Sequence, residues 1–286
     1  MQLCYQNIFT TIELTEKQKL MKFYHTNNEP YLSTQEVWHG NCLDLMWKIP
    51  DGSVDLVCVD LPYETTSLSW DIALPLNELW RHYRRICKPN AAILMFGIEP
   101  FSSKLRLSNI NNYRYDWYWE KERITNIHQV KWRAGKTVET ISVFYEKQPT
   151  YNPQMTKHDG PPRTNKVKNG RLGKLTDSGE KFVFEYKDNG LRYPTQVLRF
   201  KRDILTCNLH PTQKPLALIQ YLIKSYSNEG DLVLDNCAGS GTTLLAAANL
   251  NRQFIGIEKE EKYVEVIRER LEENNKNSLI KDAPKN

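Results

Sequence analysis

Residues 55–59 read Asp-Leu-Val-Cys-Val, and their apolar side chains run almost without a break instead of alternating with polar ones. A strand of this kind is covered on both faces, which is the situation of a parallel strand inside an α/β sheet. The run ends in Asp60-Leu61-Pro62-Tyr63, followed by the polar stretch 64–71. In open α/β sheets, ligands bind beyond the carboxyl ends of such strands. A strand that simply stops at a proline turn would look similar, so the remainder of the chain must decide.

That remainder divides into zones. Residues 1–35 form an N-terminal extension, with helical spacing over 15–24. Over 36–146 strands and helices alternate: a strand over 54–59, a helix over 74–87 with Pro75 in its first turn, a strand over 91–96 and a short helix over 101–107. Further strands are expected over 115–119 and 140–145. Over 147–206 the periodicity fades among prolines and glycines, although aromatics persist and 181–186 reads as a strand. From 207 to 274 the α/β order returns, with helices over 216–225, 242–250 and 260–273 and strands over 232–234 and 254–257, before a frayed tail at 275–286.

With 286 residues and 40% hydrophobic content, the chain is long and apolar enough for one large domain with an insertion. No run reaches the length of a membrane span, and residues 1–11 lack the basic-then-apolar order of a secretion signal, so a cytoplasmic location and no membrane partner are expected. The six cysteines form no Cys-x-x-Cys pair, which favours reduced packing residues over a zinc site or a disulfide framework. Charge is segregated. Between Tyr151 and Thr206, 12 Lys or Arg stand against 6 Asp or Glu, a surplus larger than the chain's net +5. Such a basic block is the usual footprint of a polyanion partner.

The second informative stretch is Leu232-Val233-Leu234-Asp235-Asn236-Cys237-Ala238-Gly239-Ser240-Gly241-Thr242-Thr243, a strand, a glycine turn and a helix start. Two glycines allow close backbone approach, and Ser240, Thr242 and Thr243 can cap the helix. The lysine of a P-loop is missing, which argues against phosphate cradling. Phe254-Ile255-Gly256-Ile257-Glu258 then gives a strand ending in an acid about twenty residues on, the arrangement that holds a ribose diol in dinucleotide folds. Glu258 alone would pass for an exposed strand-end charge. Together with the glycine turn it points to a nucleoside cofactor with no pyrophosphate requirement, and S-adenosyl-L-methionine fits.

Asp60-Leu61-Pro62-Tyr63, His210-Pro211-Thr212-Gln213-Lys214-Pro215 and the glycine loop, in this order, resemble the DNA amino-methyltransferases of the circularly permuted β type. The resemblance covers roughly residues 37–271. It implies a class I S-adenosylmethionine-dependent fold, a Rossmann-like and mostly parallel sheet with helices on both faces and an inserted target-recognition region at 147–206. It also implies double-stranded DNA as partner, and is compatible with a homodimer and a companion restriction nuclease. By the same resemblance, Asp60, Leu61, Pro62 and Tyr63 form the catalytic motif, in which Asp60 and the carbonyl of Leu61 accept hydrogen bonds from the target amino group and Tyr63 stacks on the extruded base. Asn41, Thr212, Lys214, Asp235, Ala238, Gly239, Ser240, Gly241, Thr242 and Glu258 would hold the cofactor, with Asp235 on its ammonium. Residues 64–71 would close over the base, with Trp70 serving equally as a brace or as core packing. Leu61 replaces the more common proline, a change in rigidity rather than chemistry. Tyr151-Asn152-Pro153-Gln154 is similar to a stretch of restriction-associated adenine enzymes, which favours adenine N6 over cytosine N4.

Overall fold

The computed structural model of the chain describes residues 35–63, 74–157, 160, 190–203 and 213–281, the last five as backbone only. The expectations for residues 1–34, for 64–71 including Trp70, for a strand over 181–186 and for His210 to Thr212 lie outside the described residues.

An eight-stranded sheet organises the fold. In chain order its strands are β1 (Gln35–His39), β2 (Val54–Val59), β3 (Cys87–Gly97), β4 (Tyr113–Glu120), β5 (Val138–Phe144), β8 (Val197–Arg199), β9 (Leu232–Asp235) and β10 (Gln253–Glu258). A two-stranded ribbon, β6 (Thr156–Lys157) and β7 (Leu191–Arg192), stands apart. The spatial order is β1-β10-β9-β2-β3-β5-β4-β8. Neighbours from β1 to β3 run parallel, and β5 is antiparallel to both β3 and β4. β8 pairs parallel with β4, so the main sheet takes back part of the segment expected to be an insertion.

The apolar run 56–59 is buried as its pattern requires. Leu56 and Cys58 face one core layer with Leu222 and Leu244, and Val57 and Val59 face the other with Leu79 and Ile86. Helices α2 (Leu76–Ile86) and α3 (Phe101–Ser108) cover the second face. Helices α4 (Leu216–Tyr226), α5 (Thr242–Asn249) and α6 (Glu261–Lys281) cover the first, and the short α1 (Cys42–Leu45) follows β1. Pro75 sits at the N-cap of α2 and not within its first turn, which its fixed φ and missing N–H permit equally. No helix of the described residues is long and apolar enough to cross a membrane.

The sheet brings distant segments together. β2 and β9 are hydrogen-bonded neighbours, pairing Leu56 with Val233 and Val57 with Leu234. The residues that follow each strand, Asp60 and Asn236, therefore leave the sheet at the same edge.

Tyr151 to Gln154 has a structural task. Asn152 Nδ2 donates to the carbonyls of Lys224 and Ser227, each at 3.2 Å, and to Asn228 Oδ1 at 3.1 Å, while the Tyr151 ring packs 5.7 Å from that of Tyr226. This stretch fastens the chain to the end of α4.

Gly256 in β10 lies under α5, where an added Cβ would meet Leu244 Cδ1 at 2.2 Å. Gly256→Ala is expected to destabilise the fold by about 1–3 kcal/mol through overpacking, read as a lower midpoint in urea unfolding at unchanged m-value.

Candidate active site

A cavity of about 640 Å³ opens at the carboxyl edge of β9, β2 and β10. Asp60, Leu61, Pro62 and Tyr63 line one side, and Asp235, Ala238, Gly239, Ser240, Thr242 and Glu258 the other. Asn41 and Lys214 also contribute. Residues that the sequence singled out from five separate stretches thus share one space, while Gly241 shapes the turn without lining it. Thr212 lies outside the described residues.

The glycine turn is shaped by close packing. Gly241 has φ +78°, and an added Cβ would meet Ile267 of α6 at 2.7 Å, so a glycine is needed on both counts. Gly241 is itself the N-cap of α5, and no side chain caps the helix. This corrects the expected capping by Ser240, Thr242 and Thr243. The Thr243 hydroxyl is hydrogen-bonded to Asp235, and the Thr242 hydroxyl accepts from Arg270 of α6 at 3.3 Å. The first turn of α5 is therefore fixed by its neighbours.

Glu258 is 8% exposed and closes this loop. One carboxylate oxygen accepts from the Gly239 N–H at 2.7 Å and the other from the Glu260 N–H at 2.8 Å. The Lys259 backbone N–H also helps to hold the carboxylate, which keeps acceptor capacity for a ligand hydroxyl because a carboxylate offers about four lone-pair sites. Asn41 caps α1, its Oδ1 accepting from the Leu43 N–H at 3.1 Å, which leaves its amide N–H groups for a ligand. Asp235 accepts from the Cys237 N–H at 3.1 Å. Burial pushes the Asp235 carboxyl up to about 7, with the charges of Asp60 and Glu258 adding to the shift and the hydrogen bonds from Thr243 and Cys237 opposing it. Cys237 lines the cavity and is hydrogen-bonded to Cys42, and Cys58 is sealed in the core with its thiol pushed up by burial.

The structure adds an ionic chain that the sequence did not disclose. The Lys214 ammonium sits on the Asp60 carboxylate and, at 3.0 Å, on Glu139 Oε1, and Lys121 Nζ reaches Glu139 Oε2 at 2.7 Å. Glu139 lies on β5 and Lys121 just after β4. Two cations and two anions are thus arranged in a line, largely out of water. Lys214 was expected at the methionine end of the cofactor, yet its charge is committed to the two acids. Burial opposes the Lys214 cation, but the two carboxylates outweigh it and hold the ammonium above its ordinary value. Burial likewise opposes Glu139, and Lys214 and Lys121 together hold its carboxyl below the usual range. Asp60 is raised, by burial first and by the Glu139 charge, with Lys214 and the Tyr63 hydroxyl pulling the other way. The Tyr63 hydroxyl donates to Asp60, and its ring lies 4.8 Å from Phe101 at 34°. A single acid in a strand, such as Glu139 in Val138–Phe144, carries no sequence signal of a partner 75 positions away.

Fold and cavity together set the glycine turn and Glu258 in one space with Asp60 and Tyr63 at the edge of an α/β sheet. Residues 54–269 match the N6/N4 family described as DNA methylase, and the chain belongs to that family. It is 25% identical over 267 residues to the type II methyltransferase M2.MboI of Moraxella bovis, covering 86% of this chain and 92% of that one. It is 28% identical over 273 residues to M.ScaI of Streptomyces caespitosus, covering 85% and 84%. Among solved structures, the M1.HpyAVI complex with S-adenosylmethionine aligns at TM-score 0.55 and 24% identity over 82% of this chain and 98% of that one. The cytosine-N4-specific PvuII methyltransferase aligns at TM-score 0.60 and 18% identity over 83% and 86%. The protein is a DNA amino-methyltransferase that uses S-adenosylmethionine.

Removing the Lys214 charge leaves Asp60 and Glu139 facing each other in a poorly solvated site. Lys214→Met should cost about 3 kcal/mol at neutral pH, the scale for stranding buried partners of a broken ion pair. Because protonation of Asp60 relieves the repulsion, the cost should shrink as pH falls, which urea unfolding at several pH values measures.

Proposed function

We propose that the chain transfers a methyl group to the exocyclic N6 of an adenine flipped out of double-stranded DNA at a specific site. The observation that carries this reading is the shared cavity, which sets Asp60 and Tyr63 opposite the glycine turn and Glu258. S-adenosylmethionine, when bound, supplies the methyl on an activated sulfonium carbon.

The protein's own groups do the rest. Glu258 takes the ribose diol, Asn41 the adenine edge, the backbone of Ala238 to Gly241 the amino-acid tail, and Asp235 its ammonium. An exocyclic amino nitrogen is a poor nucleophile because its lone pair is delocalised into the ring. Asp60 and the Leu61 carbonyl accept its two hydrogens, which favours the pyramidal nitrogen and stabilises the positive charge that develops on it. Burial raises the affinity of the Asp60 carboxyl for protons while Lys214 opposes the shift, which suits Asp60 to take up the proton that the nitrogen sheds. Tyr63 offers its ring to the base, at on the order of 1–3 kcal/mol per stacked base, against a flipping cost of a few kcal/mol. The target amino group and the Tyr63 hydroxyl compete for the same Asp60 oxygen, so Tyr63 would exchange that bond for stacking when the base arrives. The basic segment 147–206 would bind phosphates and read base edges, and the blocks 36–146 and 207–274 would be the catalytic and cofactor halves. Adenine is favoured by the acid, where serine is common in cytosine enzymes, and by the sequence of Tyr151 to Gln154. Because those four residues anchor α4, they support the assignment by kinship and not by contact.

The direct test incubates duplex DNA with methyl-labelled cofactor and identifies the labelled nucleoside. N6-methyladenosine is expected, with a loss of at least about 10²-fold in Asp60→Ala. N4-methylcytosine would move the assignment within the family, and cofactor binding with no transfer on mixed-sequence DNA would reduce the chain to a binding module.

A second expectation concerns pH. Asp235 is anionic only above its raised value of about 7, so cofactor affinity should rise as pH increases through that value. Calorimetric titration should find the rise blunted in Asp235→Asn.

A further inference from the structure

Between β4 and β5 the chain makes a 17-residue hairpin, 121–137, at the same edge of the sheet as Asp60. Its neck belongs to the cavity, where Lys121, Thr125 and Lys136 form part of the lining. Its tip stands in solvent and is unusually apolar for such a position: Trp132 is 80% exposed and Ile127 69%.

The hairpin is a folded object. The Asn126 side chain is buried and clamps the neck, accepting from the Lys136 N–H at 2.6 Å and donating to the Ala134 carbonyl at 3.2 Å. The Thr125 N–H donates to the Lys136 carbonyl at 3.0 Å. At the tip a single 3₁₀ turn, Ile127–Gln129, leads into Trp132, whose N–H donates to the Gln129 carbonyl at 3.0 Å, and Arg133 is bonded to the Gln129 side chain. An exposed tryptophan is thereby presented on an ordered support, at little entropic cost to whatever it meets.

The charge around it identifies the partner. Lys121, Arg123, Lys131, Arg133 and Lys136 stand against Glu122 as the one acid, and Glu122 is already held by Arg202 at 3.1 Å. Lys121 is turned inward to Glu139. Lys131 and Arg133 flank Trp132 in the chain, and Arg123 and Lys136 lie toward the neck. Ile124 and Val130 add exposed apolar surface to that of Ile127 and Trp132, but the hairpin is small against the face that a stable protein–protein interface needs. A large aromatic beside cations instead fits a duplex, whose phosphates take the charges and whose base stack accepts the ring. The position is apt as well, since a base extruded into the cavity leaves its gap next to the cavity mouth.

We propose that the hairpin 121–137 is a duplex-opening element: Arg123, Lys131, Arg133 and Lys136 grip phosphates near the target, and Trp132 occupies the place in the stack that the extruded base vacates. This rests on the reading of the chain as a base-flipping DNA methyltransferase. It assigns DNA contact to a segment outside the basic block 147–206 and lying before it in the chain. Filling the gap lowers the cost of keeping the base out, so Trp132 serves the reaction without touching the reacting atoms.

The test uses the full chain and a duplex carrying the site that the wild-type protein methylates, found by mapping methyl marks on treated DNA. A second duplex has an abasic position opposite the target, which removes most of the cost of extrusion. On the paired duplex Trp132→Ala should lower the methylation rate by about tenfold or more, the lower part of the range for one lost stacking contact. S-adenosylmethionine affinity should stay unchanged, Trp132→Phe should retain most of the rate, and the abasic duplex should restore Trp132→Ala to within about threefold of wild type. Lys131→Glu with Arg133→Glu should weaken duplex binding and flatten its salt dependence. Equal losses on both duplexes, or none on either, would overturn the wedge while methylation by the wild type leaves the parent reading standing. Concentration-dependent self-association abolished by Trp132→Ala would reassign the tip to a second copy. A wild-type protein that methylates no base would remove both readings.

Discussion

The line of charge Asp60–Lys214–Glu139–Lys121 is the contact on which the site's architecture depends. It ties the end of β2 to the start of β5, the end of β4 and the segment that enters α4. Four elements that the chain visits at wide intervals are thereby set in one register around the cavity. Isolated buried carboxylates would each be forced toward the neutral acid, and isolated buried lysines toward the neutral amine. Alternating the signs sets each lysine against a carboxylate, and all four side chains line the cavity with Asp60 at one end of the line. The geometry also separates two uses of acid in one pocket. Asp60 is held by side chains, Tyr63 and Lys214, while Glu258 is braced by backbone N–H groups.

Sheet order supplies the second constraint. β2 and β9 lie side by side although they are far apart in sequence. Both carry short apolar runs that only a two-faced burial can satisfy, and both end in acids at the same edge. Beyond them, β5 reverses direction, and this reversal creates the β4–β5 hairpin on the ligand side of the sheet. Catalytic strand, cofactor strand and hairpin therefore face the same solvent region, which a duplex would have to occupy.

Much of this was legible in the sequence because it depends on local pattern. Continuous apolar residues marked β2, β3, β9 and β10, and helical spacing marked α2, α4 and α5, with ends within two residues except that β3 begins four residues earlier, at Cys87. The motif residues Asp60 to Tyr63 and Asp235 to Thr242 were legible because glycines, prolines and acids punctuate strand ends. What escaped depends on pairing across the sheet. Glu139 looks like any acid in a strand until Lys121 and Lys214 are beside it, and Lys214 looks like a cofactor contact until Asp60 takes its charge. Asn152 read as part of a kinship signature, but its amide is spent on the end of α4. Ser240 and Thr243 read as caps because their residue types favour that role, yet the left-handed Gly241 took the position and freed Thr243 for Asp235.

In the proposed reaction, cofactor and target nitrogen meet across this one cavity, with Asp60 between them. A crystal structure of the protein with sinefungin, a non-transferring analogue of S-adenosylmethionine, and a duplex containing its site tests that directly. The ribose should lie on Glu258 and the amino group of the flipped base on Asp60, with that nitrogen about 3–3.5 Å from the analogue's reactive end. An analogue bound away from the glycine turn, or a flipped base held with Asp60 still closed onto Lys214 and Tyr63 and turned away from it, would contradict the account.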